Sequence, residues 1–239
     1  MRTGSIGTIP APRILDRIRA LLAKAESTDF PEEAETLTAK AQELVTRYAV
    51  SAALLAGDEP SGIRGLRLHL DNPYANEKVL LLTAIGSANR ARTVWFSKIG
   101  IATVVGGDVE LHQIELLFGS LLVQATRAMS TAGTGGRTGG GVTAYRRAFL
   151  TGYAGRIGER LREADARATV EAAADANLPV TTLAPILTRR SEAVEAEFRR
   201  LFPTTRSTRT RTVDAGGWHA GRDAADNACL GSPSTTQPR

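Results

Sequence analysis

Side chains that bind metals are scarce in this chain, which has 239 residues with three histidines and one cysteine. The best pair is His112 and Glu115, which are three residues apart and share one face of a predicted helix. Glu110 lies close to both in the sequence. Two groups do not complete a metal site, which needs at least three protein ligands, and no His-Glu-x-x-His motif occurs. The sequence therefore predicts no metal centre.

The glycine-rich segment 132–141 suggests a phosphate-binding loop at first sight. A dinucleotide loop requires glycine at positions i, i+2 and i+5, but after Gly133 and Gly135 the third position is Thr138. The segment also follows a predicted helix, whereas such loops follow a strand, and a Walker motif is absent. We therefore predict a flexible tether and no bound cofactor.

The hydroxyl and thiol groups show no pattern of nucleophilic catalysis. Cys229 lies among small residues with no base near it in sequence, and no Gly-x-Ser-x-Gly motif occurs. If the chain is an enzyme, for example a metal-dependent hydrolase, its site would lie between the helices predicted over 109–130 and 142–174. The side chains that would line this cleft are His112, Glu115, Tyr145 and Tyr153.

The positive charge of the chain is concentrated in its second half. Residues 1–131 hold 14 basic and 14 acidic side chains, and residues 132–239 hold 16 and 11, which places the whole net charge of +5 there. The densest basic strip consists of Arg199, Arg200, Arg206, Arg209 and Arg211. Such a strip could bind the phosphates of nucleic acid. The alternative is a solvated linker in a protein whose arginine content reflects a GC-rich genome.

A stripe of small residues marks the segment near the end of the chain. Gly217, Gly221 and Ala225 recur every four residues and therefore lie on one face of a predicted helix. Such a face permits another backbone to approach closely. The helix could dock on a partner or a second copy of the chain, or it could pack on its own domain.

Hydrophobic periodicity predicts an α+β fold dominated by helix. Leu66, Leu68 and Leu70 alternate with polar residues, as in a half-buried strand, and Asp108 is placed to cap a long helix. The predicted strands are 66–70, 92–97 and 99–105. The predicted helices are 74–90, 109–130, 142–174, 186–201 and 216–229, with a break between Pro179 and Pro185. We expect a small sheet of about three strands covered by the long helices.

The N-terminal region reads as a helical hairpin over residues 13–52, preceded by a disordered segment 1–12. Apolar residues recur at helical spacing on both sides of a turn that contains Pro31. Asp29 and Glu32 form the two halves of a capping box at the start of the second helix. The remaining predicted units are an α+β body at 66–174, an accessory helix at 175–202, and a C-terminal region at 203–239 with the basic strip, the short helix and a disordered end.

The hairpin carries a resemblance to a known family. The runs Leu-Leu-Ala-Lys-Ala-Glu-Ser-Thr at 21–28 and Ala-Lys-Ala-Gln-Glu-Leu at 39–44 resemble DUF2786, a domain of unknown function found in bacterial, especially actinobacterial, and phage proteins. Downstream, Asn-Pro-Tyr-Ala at 72–75 and Arg-Ala-Phe-Leu-Thr-Gly-Tyr at 147–153 resemble the region usually attached to it, DUF7168. The resemblance implies no activity and no site residues.

Composition limits the remaining possibilities. No stretch has the roughly 20 apolar residues that span a bilayer, the first residues lack the apolar core of a signal peptide, and one cysteine cannot form an internal disulfide. We therefore expect a cytoplasmic protein that does not bind membranes. Our leading interpretation is a non-enzymatic binding or adaptor protein that contacts nucleic acid or another protein. An enzyme with a concealed site and a self-associating structural protein are the alternatives.

Overall fold

The computed structural model describes residues 62–132, 136–175, 179–206, 214–228 and 230, with five single positions before them: Leu21, Thr36, Leu37, Lys40 and Leu44. These five positions are helical and fall within the two helices predicted for the hairpin. The rest of the hairpin and the predicted disordered segment 1–12 lie outside the described residues.

Three strands and five helices make up the described chain from residue 62 onward. The strands are β1 (Ile63–His69), β2 (Arg92–Phe96) and β3 (Ile101–Gly107). The helices are α1 (Ala75–Ala88), α2 (Asp108–Thr131), α3 (Gly140–Asp175), α4 (Val180–Leu201) and α5 (Ala215–Asp226). The predicted helix-dominated α+β fold with a three-stranded sheet is therefore confirmed.

The sheet is antiparallel, with β3 between β1 and β2. A tight turn joins β2 to β3, and Gly100 adopts a left-handed φ of +65° there, which other residues rarely adopt. Because successive side chains of a strand point to opposite faces, Ala102 and Val104 belong to one face of the sheet, and Thr103 and Val105 to the other.

The main hydrophobic core lies on the face of Ala102 and Val104. α1 and α2 cover that face, α3 packs against α1, and α5 packs on α3. The apolar stripe predicted along α3 is buried over its whole length, and its members are Tyr145, Phe149, Tyr153, Ile157 and Leu161. α1 therefore lies between the sheet and α3, with apolar contacts to both.

α4 covers part of the opposite face of the sheet. Val194 and Phe198 form a small buried cluster with Val105 of the central strand, and Ile63 and Val94 pack at its border. The side chain of Arg190 binds Glu110 at the start of α2, with 2.9 Å between a guanidinium nitrogen and a carboxylate oxygen. The middle of α4 therefore lies near the end of β3, and its second half runs along the sheet.

The helix break predicted between Pro179 and Pro185 is wrong. α4 begins at Val180 and contains Pro185, although proline removes one backbone donor from a helix. Thr181, Thr182, Ala184 and Pro185 are exposed, and the buried side chains of α4 that the structure describes are Leu187, Val194 and Phe198. One proline near the start of the helix thus does not end it.

Asp108 is not the cap of the long helix. The capping position of α2 is Gly107, which has no side chain, and Asp108 is already in the first turn, where it forms an ion pair with Arg64. Gly106 and Gly107, which follow the predicted strand 99–105, extend β3 and pair with β1. Negative charge in the first turn of a helix still favours its dipole.

Candidate nucleic-acid interface

The part of the sheet beyond α4 presents a row of exposed and half-buried side chains. The register pairs His69 of β1 with Ile101 of β3, and Ile101 with Phe96 of β2. The three side chains therefore lie side by side on the face that α4 covers elsewhere. His69 is exposed, and Phe96 keeps 38% of its surface accessible. This row is the open end of the sheet.

The end of α4 places a second aromatic ring beside this row. Phe202 follows the last residue of α4, and its ring centre lies 5.7 Å from that of Phe96 at an interplanar angle of 57°. It also contacts Phe198, 5.4 Å away, which is buried against the sheet. Phe198 therefore anchors Phe202, and Phe202 borders Phe96.

Arginines lie on this face of the sheet and at the end of α4, and one of them, Arg92, contacts a ring of this group. The guanidinium of Arg92 lies 5.2 Å from the ring centre of Phe198, where a cation is attracted by the aromatic face. The carboxylate of Glu195 binds both Arg92, at 2.9 Å, and Arg199, at 3.0 Å. Arg67, exposed on β1, lies on the same face, two residues before His69. The one negative charge of Glu195 thus pairs with two arginines, so the positive charges of this group outnumber its negative charge.

The last turn of α4 carries a further ion pair. Arg200 donates two hydrogen bonds of 2.7 Å to Glu197, which lower the pKa of Glu197 and raise the pKa of Arg200. The side chain of Arg200 is nonetheless 69% exposed. The guanidinium is therefore fully charged and accessible from solvent.

We give the name aromatic–basic surface to the following set: Arg67, Phe96, Arg199, Arg200, Phe202 and Arg206. The four arginines in it are exposed, and Arg206 lies four residues after Phe202. Guanidinium groups form paired hydrogen bonds with phosphates, and aromatic rings stack with bases. The surface thus combines the two chemical features that bind nucleic acid strands.

The predicted basic strip is only partly within the described chain. Arg199, Arg200 and Arg206 are exposed at the end of α4 and beyond it, as binding to a partner requires. Arg209 and Arg211 lie outside the described residues.

The stripe of small residues on α5 packs against α3 of its own chain. Gly217, Gly221 and Ala225 are buried in the contact between α5 and α3. A Cβ atom at Gly221 would overlap the carbonyl oxygen of Phe149, and one at Gly217 would overlap that of Tyr145. The structure therefore shows the second possibility left open by the sequence, packing on its own domain.

The four side chains of the alternative enzyme site do not meet in one cleft. Tyr145 and Tyr153 are 6% and 1% exposed and pack on either side of Phe149 in the core, whereas Glu115 is exposed and His112 is half-buried. Within the described residues, no group of three or more His, Cys, Asp or Glu side chains is placed to bind a metal ion.

The glycine-rich segment, which the sequence predicts to be a tether, contacts the rest of the fold through Arg137. Arg137, in the glycine-rich segment, donates a hydrogen bond of 3.2 Å to Asp214 and lies 4.7 Å from the ring centre of Tyr145. Asp214 caps α5 by accepting a hydrogen bond from the backbone of Gly217. Residues 133–135 and Cys229 lie outside the described residues.

Sequence reasoning did not identify Phe96, Phe202 or Arg67 as part of a site. Phe96 is the last but one residue of a predicted strand, and Phe202 directly precedes Pro203, so each could be read as an ordinary core residue. The useful signal was the strand alternation, which places Phe96 on the same face as Arg92. Only the path of α4 shows that this face is left partly uncovered.

Comparison with known families is informative for the N-terminal region alone. The family model for DUF2786, a protein of unknown function, matches residues 13–52. This chain contains a DUF2786 domain. The DUF2786 domain precedes β1, so the aromatic–basic surface lies outside the matched residues. No curated protein and no solved structure matches the chain.

Among the described residues, none of the helices combines the length and apolar character needed to traverse a lipid bilayer.

Proposed function

We propose that this protein binds nucleic acid through the aromatic–basic surface, as a non-enzymatic binding or adaptor protein of the cytoplasm. The observation that carries the proposal is the exposure of Arg199, Arg200 and Arg206 at and after the end of α4, the helix end whose Phe202 contacts the partly exposed ring of Phe96. Phosphate contacts supply most of the affinity in such complexes, and they require arginine or lysine in accessible positions.

The balance of charge on this surface supports an anionic partner. Arg92 together with the four arginines of the surface makes five positive charges, against two negative charges from the glutamates that pair with them. The excess is therefore three positive charges. A protein partner with a neutral apolar patch would gain nothing from this excess, whereas a phosphate backbone would.

The ion pairs on the surface do not prevent phosphate binding. Exposed salt bridges contribute little because solvent and salt screen them, and Arg199 and Arg200 are 75% and 69% exposed. A phosphate can therefore replace Glu195 or Glu197 at little cost. Glu195 would keep Arg92 as its partner after Arg199 turns to a ligand.

The proposal is tested by fluorescence anisotropy with the full chain and a fluorescein-labelled 20-nucleotide strand or duplex at several salt concentrations. We expect the logarithm of the binding constant to fall linearly with the logarithm of salt concentration. The double variant Arg199→Ala, Arg206→Ala should flatten the slope by about 0.7–0.9 for each phosphate that the protein no longer neutralises. Adding Arg209→Ala and Arg211→Ala extends the test along the predicted strip.

The matched control is the double variant Arg127→Ala, Arg162→Ala, which removes the same charge from exposed positions on α2 and α3. It should leave the slope as in the wild type. Equal slopes for both double variants would remove the aromatic–basic surface from the proposal. Absence of binding to either probe at low salt would contradict nucleic-acid binding itself.

A further inference from the structure

We infer that the aromatic–basic surface prefers single-stranded to duplex nucleic acid, because a base can stack on the ring of Phe96; this inference rests on the function proposed above. Phe96 is a large apolar side chain left 38% exposed at the end of β2. It contacts a second aromatic ring, that of Phe202, which lies between Arg200 and Arg206 in the sequence. This contact distinguishes it from Val123 and Val170, which are exposed apolar residues on α2 and α3.

The ring of Phe96 is partly exposed and is not stacked on its aromatic neighbour. Phe202 meets the ring at an interplanar angle of 57°, so the two rings are tilted and neither face of Phe96 is covered by a parallel ring. Phe202 is in turn held by Phe198, which is 4% exposed. Phe96 is therefore linked to the core through two ring contacts and still keeps 38% of its surface accessible.

Single strands and duplexes differ in whether their base faces are available to stack on a protein side chain. In a duplex the bases are paired and stacked on each other, so a protein surface meets mainly phosphates. In a single strand the base faces are available, and each base stacked on an aromatic side chain strengthens binding substantially. Arg199, Arg200 and Arg206 can bind the phosphates of either form, but only a single strand uses Phe96.

The other occupant for an exposed ring is an apolar partner protein, and the excess of positive charge on this surface argues against it. An apolar partner would bind with little dependence on salt, whereas a strand held by arginines loses affinity steeply as salt rises. The salt series in the titration therefore separates the two.

The test is a titration of the full chain with three fluorescein-labelled 20-mers: oligothymidylate, oligouridylate and a mixed-sequence DNA duplex. We expect at least one single strand to bind about 10-fold tighter than the duplex. Phe96→Leu keeps the apolar volume but removes the ring, and it should weaken single-strand binding by about 10-fold. It should leave duplex binding and the salt slope unchanged, since leucine removes no charge.

Two further variants keep the test independent of folding. Phe96→Trp restores a ring and should recover single-strand affinity, which a purely structural role for Phe96 would not require. Val123→Ala, at an exposed apolar position on α2, should change nothing. Circular dichroism of each variant verifies the fold.

The outcomes separate the inference from the proposed function. Equal affinity for strand and duplex, with the arginine dependence intact, would overturn single-strand preference and leave nucleic-acid binding standing. Unchanged single-strand affinity in Phe96→Leu would also overturn the inference. Failure of all three probes to bind would overturn both.

Discussion

Gly221 in α5 occupies a position where no larger residue fits. A Cβ atom there would overlap the backbone carbonyl of Phe149, which cannot move without bending α3. Gly221→Ala should therefore destabilise the protein by about 3 kcal/mol, as expected for overpacking. Urea denaturation followed by circular dichroism measures the change.

Gly155 is the matched control for this variant, because it lies on α3 with open space where a Cβ would be. Gly155→Ala should raise stability by about 0.5–1 kcal/mol, since alanine favours helix. A loss in Gly221→Ala no larger than the change in Gly155→Ala would show that α5 does not pack on α3 as described.

Glu159 forms the centre of a charged cluster between α3 and α5. Hydrogen bonds from Arg222, at 2.8 and 2.9 Å, and from Arg156, at 3.1 Å, lower its pKa from 4.5 to about 2. Because this pKa is lower in the folded protein, the stabilisation is complete above about pH 4.5 and is lost as the pH falls towards 2. Solvent screens the cluster, since the side chain of Glu159 is 37% exposed, so we expect about 1 kcal/mol.

Glu159→Gln tests this pH dependence by urea denaturation between pH 2 and pH 7. The variant should be about 1 kcal/mol less stable than the wild type at pH 7, and the difference should vanish near pH 2. Glu115→Gln, at an exposed position on α2, should show no such difference. A constant difference across the pH range would contradict the assigned role of the carboxylate.

At the scale of elements, the position of α4 on the sheet depends on a buried ion pair. The side chains of Arg190 and Glu110 are 17% and 6% exposed. Arg190→Met would leave the charge of Glu110 buried without its partner, and breaking a buried pair in this way costs about 3 kcal/mol. Arg199→Ala, in an exposed pair on the same helix, should cost at most about 1 kcal/mol.

The measurement is again the free energy of unfolding, with the double variant Arg190→Met, Glu110→Gln as a check. Neutralising Glu110 should recover part of the loss. If Arg190→Met and Arg199→Ala cost the same, the pair does not anchor α4.

The elements that could be predicted from the sequence are those with strong local patterns. α2 and α3 have apolar residues at helical spacing over their whole length, and the three strands are rich in β-branched and alternating residues. Their bounds shift by a few residues because strand pairing extends β3 to Gly107. The start of α4 was not predicted correctly, because Pro185 indicates a break in the sequence although the helix continues through it.

Only the arginines of the candidate site could be predicted from the sequence, because the rest of the site depends on long-range packing. A run of arginines can be read directly, and it identified Arg199, Arg200 and Arg206. Whether Phe96 is core or surface depends on how much of the sheet α4 covers, which is a property of long-range packing. Likewise, the stripe containing Gly221 indicated close helix contact, but the contact partner, α3, became evident only in the fold.

For the molecule as a whole, the arginines on the two sides of the sheet differ in their surroundings. Between α3 and α5 the arginines bind carboxylates and the carbonyls of Ala225 and Ala228, and so fasten the last helix. On the far side of the sheet, Arg199 and Arg200 are largely exposed and have more positive charge around them than their glutamates neutralise. We therefore assign stability to the first group and propose binding for the second.

The most direct test of nucleic-acid binding is the salt dependence of single-strand affinity in the full chain, measured by anisotropy for the wild type and the two double arginine variants. We expect a linear loss of affinity with salt, a flatter slope for Arg199→Ala, Arg206→Ala, and a wild-type slope for Arg127→Ala, Arg162→Ala. Identical slopes in all three proteins, or no binding at low salt, would contradict the proposal.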